Sequence, residues 1–212
     1  MKTLNNENGS ITIIASVSPP GGDFSEPVTS HTKRFIRCFW ALDRDLANAR
    51  HYPSIGWVES YSEYLDDIKK WWHDKISPQW LELRYLIMEL LQKEQKLLQV
   101  VKLVGPEVLP QAQRLILETC YIFKNAFLQQ SAFDEVDAYS SARKQFLMLK
   151  SIVTFYRMGE LLIKKGIAVN EIRALPVCLE LMRMKTDYTE KDIDRLEKMP
   201  EKVEKALKEL DI

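Results

Sequence analysis

Residues 10–27 read Ser10-Ile11-Thr12-Ile13-Ile14-Ala15-Ser16-Val17-Ser18-Pro19-Pro20-Gly21-Gly22-Asp23-Phe24-Ser25-Glu26-Pro27. The opening run, Ser10 to Val17, is short and rich in β-branched side chains, which says strand. Ile11, Ile13 and Val17 fall on one face and Ile14 on the other. That pattern suits a strand covered on both sides, as in a parallel α/β sheet. A turn-rich loop follows, built of Pro, Gly, Asp and Ser. No second convincing strand comes after it. A lone strand leaves its backbone groups unpaired. The chain is therefore expected to begin inside a sheet whose other strands lie elsewhere.

Outward from this stretch the pattern turns helical. A helix is expected from Val28 to Arg50, with Phe35, Phe39, Leu42 and Leu46 on one face. His51-Tyr52-Pro53 ends it, because the residue before proline avoids helical geometry. From Trp57 onward nearly everything reads as helix, beginning with a stripe of Trp57, Tyr61, Tyr64, Ile68 and Trp71. Ser77-Pro78 starts a second helix, serine as cap and proline in the first turn. It runs through Leu83, Leu86, Leu90, Leu97 and Val101 and stops at Gly105-Pro106. A third follows Pro110 to about Gln129, and a fourth runs from about Ser140 to Lys165, stopping at Gly166. Shorter helices are expected from Pro176 to Met184 and from Thr189 onward. Thr189 with Asp192 makes an acidic variant of the capping box, and Pro200 breaks or restarts the last helix. The apolar stripes from Trp57 to Asp187 suffice for a helical core of their own.

Composition narrows the function. The chain has 212 residues, of which 46% are hydrophobic and 28% charged, a globular balance. Lys+Arg and Asp+Glu are 30 each, so no net charge draws the chain toward nucleic acid or anionic lipid. No run is long and apolar enough for a transmembrane helix, and Met1 to Asn8 lacks the apolar stretch of a signal peptide. Cys38, Cys120 and Cys178 are odd in number and widely spaced. They fit buried structural thiols in a cytosolic protein, not a disulfide framework or a zinc site.

The chemical inventory is thin. There is no glycine-rich phosphate loop with Lys-Ser/Thr, no His-Glu-x-x-His and no Cys-x-x-Cys. His31, His51 and His73 read as surface or capping residues. Asp66-Asp67 and Lys69-Lys70 read as solvated ion pairs. Asp134, Glu135 and Asp137 read as carboxylates at a helix entrance. Tyr52 and Phe133 are aromatics in turns. Each is either a plug for the local core or a stacking platform for a planar ligand such as a base, and the pattern leaves both readings open.

Ser16 to Thr29, with its Pro19-Pro20-Gly21-Gly22-Asp23-Phe24-Ser25-Glu26-Pro27 loop, closely resembles the signature loop of the catalytic A subunits of V-type and archaeal-type ATP synthases. The likeness continues through Phe39-Trp40-Ala41-Leu42-Asp43, Arg50-His51-Tyr52-Pro53-Ser54-Ile55-Gly56-Trp57, Ser60-Tyr61-Ser62 and Phe127-Leu128-Gln129-Gln130-Ser131-Ala132-Phe133-Asp134-Glu135-Val136-Asp137. It spans nearly the whole sequence. The resemblance implies a mainly α chain. Residues 1–55 would be the C-terminal end of a P-loop α/β nucleotide-binding domain, a remnant of one strand, loop and helix. Residues 56–212 would form the helical C-terminal domain. The phosphate loop and the catalytic glutamate would lie earlier in the family's chain.

In that family ATP hydrolysis or synthesis is coupled to proton or sodium transport. Its adenine pocket combines an aromatic in a His-aromatic-Pro turn with a Gln-x-Ala-Phe loop. The resemblance places these at Tyr52, Ala132 and Phe133, with Gln130 nearby. Tyr52 stands where Phe is commoner, and Ser131 where Asn is common. The Gly21–Glu26 loop takes a structural and coupling role. ATP or ADP with magnesium would be held by the intact catalytic polypeptide, and none tightly by this chain. Implied partners are the B subunits of the catalytic ring and the central stalk, at the cytoplasmic face of a membrane, with no membrane insertion and no nucleic acid. Alone, the chain is expected to be inactive, and a monomer is compatible with this reading. The alternatives are a non-enzymatic helical scaffold and an export-apparatus rotary ATPase, which also carries a His-Tyr-Pro turn.

Overall fold

A computed structural model gives the structure of residues 9–211. The reading of Met1–Asn8 as lacking a leader lies outside the described residues. The elements, in order, are α1 (Pro27–Lys33), β1 (Cys38–Phe39), α2 (Arg44–Asn48), β2 (Tyr61–Ser62), α3 (Leu65–Lys75) and α4 (Trp80–Val104). Then come α5 (Gln111–Phe123), α6 (Ala142–Lys164), α7 (Val169–Arg173), α8 (Pro176–Asp187), α9 (Ile193–Leu196) and α10 (Met199–Lys208). A π-helical turn, Lys124–Leu128, carries α5 on without a break. The fold is mainly helical, as the periodicity predicts.

Helix α6 is the axis of the bundle. Ser141 caps it, its hydroxyl accepting from the Lys144 N–H at 3.2 Å. Phe146, Leu149, Ile152, Val153, Phe155 and Leu162 are all buried, so apolar contact surrounds the helix instead of lining one stripe. Helices α4, α5, α8, α9 and α10 pack around it. Helix α4 supplies Leu83, Ile87, Leu90 and Leu91, and α10 supplies Met199, Val203 and Leu207. Gly159 sets the crossing of α5 over α6: a Cβ built there would lie 2.8 Å from a methyl of Leu115. Each large apolar side chain removed from water in this core contributes about 1.5–3 kcal/mol.

The N-terminal third departs from the sequence reading. Residues 11–17 carry no strand assignment, and Ile11, Ile13 and Ile14 are exposed. The helix expected over Val28–Arg50 is instead α1, β1 and α2. Two caps explain the division. Glu26 accepts from the Val28 and Thr29 N–H groups at 3.0 and 2.9 Å, with Pro27 in the first turn of α1. These bonds, that from Thr29 first, hold the Glu26 carboxyl below the usual carboxylate range. Asp43 then restarts the helix, accepting from the Leu46 N–H at 2.9 Å.

Between the end of α1 and Asp43 the chain leaves the helix and pairs. Cys38 and Phe39 sit opposite Ser62 and Tyr61 in antiparallel register, and Leu42 bridges Ile55. Hence Phe35 and Leu42 are exposed and only Phe39 of that expected face is buried. Phe24, Phe39 and Tyr61 form a small aromatic cluster here, with ring centroids 5.5 and 5.9 Å apart. The same pairing takes Tyr61 out of the helix expected from Trp57, so α3 begins at Leu65.

Further along, agreement returns. Gly105 and Gly166, at φ +80 and +94, end α4 and follow α6. Thr189 and Asp192 form the expected capping box, and Pro200 sits in the first turn of α10, restarting the helix. Asp66 pairs with Lys69 as expected, whereas Asp67 pairs with Arg37. Cys120 and Cys178 are buried, and Cys38 is only half-buried. Among the described residues no helix is long and apolar enough to cross a membrane.

Candidate functional site

The antiparallel pairing of 38–43 with 54–62 closes on a tip made of α2 and the turn Arg50-His51-Tyr52-Pro53. Helix α2 ends in a Schellman motif: the His51 N–H donates to Leu46 O at 2.9 Å and the Arg50 N–H to Ala47 O at 3.0 Å. Arg50 takes the left-handed position, φ +55, that glycine usually fills. A non-glycine residue there costs about 1–2 kcal/mol. The motif turns the chain sharply, so that His51 points inward and Tyr52 outward.

His51 is buried, which corrects its reading as a surface or capping residue. Its Nε2 lies 3.0 Å from the Lys124 carbonyl. A carbonyl only accepts, so Nε2 carries the hydrogen. Nδ1 is buried with no partner. The ring meets the Trp57 ring edge-on at 5.6 Å. Lys124 itself lies over Trp57, 4.9 Å from the ring centroid, and pairs with buried Glu94 at 2.6 Å. Burial nonetheless dominates at Glu94 and pushes its carboxyl above the usual value, Lys124 opposing it. This cluster anchors the tip to the bundle.

The second component is the loop after the π-helical turn. The Gln130 N–H donates to Tyr52 O at 2.7 Å, so the two expected segments meet. The Gln130 side-chain amide donates to Asp137 O at 2.6 Å. Asp137 accepts from the Ser131 N–H at 2.7 Å, and Asp134 accepts from the N–H groups of Val136 and Asp137 at 2.9 and 2.8 Å. These carboxylates therefore hold a turn, not the helix entrance expected of them; the next helix starts only at Ala142. Gln130 is half-buried, whereas Ala132 and Phe133 are exposed. Tyr52 is 54% exposed and Phe133 fully so. Neither ring plugs the local core, and among the described residues neither has a ring partner.

Two lysines beneath the loop were not expected. Lys144 is 1% exposed, yet its ammonium donates to the Lys185 carbonyl at 2.8 Å. Burial lowers its pKa, opposed by Glu190, Asp137 and Asp134. The Lys185 ammonium donates to Gln129 O at 2.7 Å and lies 3.6 Å from the Asp137 carboxylate. One signal for Lys144 was available: it falls on the same helical face as Met148, Ser151 and Phe155, all buried. Nothing local pointed to Lys185.

The site thus presents two exposed aromatic rings on backbone segments tied to one another, over a buried, hydrogen-bonded floor. Flat faces for stacking and a carboxamide nearby suit a planar heterocycle. No group of three or more His, Cys, Asp or Glu among the described residues is placed to hold a metal ion.

Residues 69–173 match the family described as the C-terminal domain of V and A type ATP synthase. Residues 1–62 match the ATP synthase alpha/beta family, nucleotide-binding domain. The chain is 53% identical to the A subunit of the A-type ATP synthase of Ignicoccus hospitalis over 89% of its length, covering 32% of that protein. It is 48% identical to the corresponding A subunit of Methanopyrus kandleri over 95% of its length, covering 34% of it. To the V-type ATP synthase alpha chain of Halothermothrix orenii it is 47% identical over 96%, covering 35%. The chain thus spans about a third of the length of these relatives. A solved ATP synthase subunit from Nanoarchaeum equitans superposes with a TM-score of 0.55 at 20% identity, covering 65% of this chain and 34% of that one, which speaks for the fold alone. With both family matches and these relatives in agreement, the chain belongs to the A-subunit family of A- and V-type ATP synthases and corresponds to its C-terminal portion.

Proposed function

We propose that this chain supplies the base-side wall of the nucleotide site, and the helical lever, of a rotary ATP synthase that couples ATP hydrolysis or synthesis to proton or sodium transport. The single observation that carries the reading is the Gln130 N–H to Tyr52 O bond. It binds the Tyr52 turn to the loop bearing Phe133 and leaves both rings exposed. We assign no residue of this chain to the phosphates or to magnesium, whose chemistry belongs to other parts of the enzyme. The residues here do one thing for the reaction: they hold and orient the base. The partners in this reading are B subunits and the central stalk, on the cytoplasmic face of the membrane. The far end of α4, with exposed Leu103, Val104 and nearby Val108, is a surface suited to such contact. The names of the relatives favour the catalytic A subunit over a free-standing scaffold or an export-apparatus enzyme.

Magnitudes set the test. Two stacking rings give roughly 2–6 kcal/mol before the cost of association, and a millimolar complex already needs about 4 kcal/mol. In an NMR titration, adenosine and ATP should therefore bind this chain alike and weakly, near millimolar, with Tyr52 and Phe133 signals moving together. Equal affinity is expected because the phosphates add no contact. Micromolar ATP affinity, or ATP hydrolysis by this chain alone, overturns the assignment.

A further inference from the structure

We propose that Lys185 is a positioning residue for the base site: it fixes the shape of the Gln130–Asp137 loop and hence the place of Phe133. The proposal deepens the nucleotide-site reading above and rests on it. Phe133 is fully exposed, so its own side chain does not hold it in place. Its position is inherited from the loop backbone. That backbone is closed by the Ser131 N–H donating to Asp137, and by the Gln130 amide donating to Asp137 O. A single ammonium touches both ends of this closure. Lys185 Nζ donates to the Gln129 carbonyl at 2.7 Å and faces the Asp137 carboxylate at 3.6 Å. Gln129 directly precedes Gln130, whose N–H grips Tyr52. The lysine thus lies under the join between the two aromatic segments.

The ammonium is itself fixed. The side chains of Lys185 and Asp137 are 14% and 7% exposed, so solvent screens the pair weakly. Lys144, buried in α6, donates to the Lys185 carbonyl at 2.8 Å and holds the end of α8. Without the Lys185 head group, Asp137 keeps a buried charge with its nearest cation gone, and the Gln129 carbonyl loses its donor. Both changes fall on the loop and not on the apolar core of α6.

The test uses the whole chain with Lys185→Met, which keeps the apolar stem, and Lys185→Arg, which keeps a cation. Lys185→Gln, a shorter donor, replaces the Met variant should that fail to fold, and is read by the same outcomes. Amide hydrogen exchange at Ser131, Val136 and Asp137 is measured beside amides of α6, and adenosine is titrated against the Phe133 ring signals. The Met variant should speed loop exchange about tenfold or more and weaken adenosine several-fold, while α6 amides stay protected. The Arg variant should recover most of both. Unchanged loop exchange in the Met variant overturns the proposal. So does an equal rise at α6, which makes the lysine a residue of the fold only. If adenosine moves Phe133 in wild type and Met variant alike, the role of Lys185 falls and the base-site reading stands. If millimolar adenosine moves neither Tyr52 nor Phe133 in wild type, the base-site reading falls, and the ligand assignment falls with it.

Discussion

The segment before α3 and the bundle after it contain similar side chains and treat them oppositely. In the bundle, Leu115, Ile152, Phe155, Leu162 and Leu181 are fully or almost fully removed from water. Before α3, Ile11, Ile13, Ile14, Phe35, Trp40 and Leu42 are all largely exposed. The bundle closes its apolar surface on itself because long helices offer faces that meet along α6. The N-terminal segment offers only short pairings, and a two-residue ribbon with one aromatic cluster cannot cover its apolar groups. The lesson is that a segment's apolar content says nothing about stability until its cover is identified.

Four measurements break or sharpen this contrast. The largest effect is expected for Phe155→Ala, which empties the centre of the core and should cost about 3–5 kcal/mol in urea unfolding followed by helical circular dichroism. A cost below about 1 kcal/mol would place the stabilising core elsewhere. Next is Gly159→Ala. The new methyl meets Leu115, itself fully buried, so the usual helix gain of alanine over glycine should be reversed, with a net loss of about 1–2 kcal/mol. A stabilised variant would show that α5 has room to shift.

A smaller and pH-dependent effect is expected at the joint between the two regions. Burial raises the Glu94 carboxyl above its ordinary value of 4.5. The folded state thus takes up this proton at a higher pH than the unfolded state does. The stability linked to that uptake is full below pH 4.5 and lost as pH rises through the folded value. Wild type should therefore gain on Glu94→Gln as pH falls from neutral toward 4.5, a trend that thermal melts across that range will show or exclude. The smallest effect is expected for Ile13→Ser. Its side chain is 87% exposed, so the bundle's unfolding free energy should move by no more than about 0.5 kcal/mol. Amides of residues 11–17 should exchange fast in both forms. Protection there would mean that the segment has found a partner strand.

Much of the bundle was legible because its signals are local. The 3-and-4 spacing in α4, the stop at Gly105, the Thr189 and Asp192 box and the restart at Pro200 each need only neighbours along the chain. Helix α7 was missed: it is one short turn between Ala168 and Ala174, with Glu171 accepting from the Ala168 N–H as its cap. The break between α1 and α2 was missed although Asp43 is an ordinary capping residue. The spacing of Phe35, Phe39, Leu42 and Leu46 imitated a helix face, and the pairing of Cys38–Phe39 with Tyr61–Ser62 outweighed it. At the site, Tyr52, Gln130, Ala132 and Phe133 were named through resemblance. The bond joining Gln130 to Tyr52 had no local signal and neither did Lys185, whereas Lys144 shares a helical face with buried Met148, Ser151 and Phe155.

By itself the sequence determined the helical bundle, most of its boundaries and the two aromatic turns, since periodicity and capping are properties of adjacent residues. Only the tertiary structure decided which charges are buried. Lys144 and Lys185 look like solvated helix lysines until α6, α8 and the Gln130–Asp137 loop enclose them. Burial is a sum over distant segments, and the carbonyls that make it tolerable for an ammonium come from those segments too.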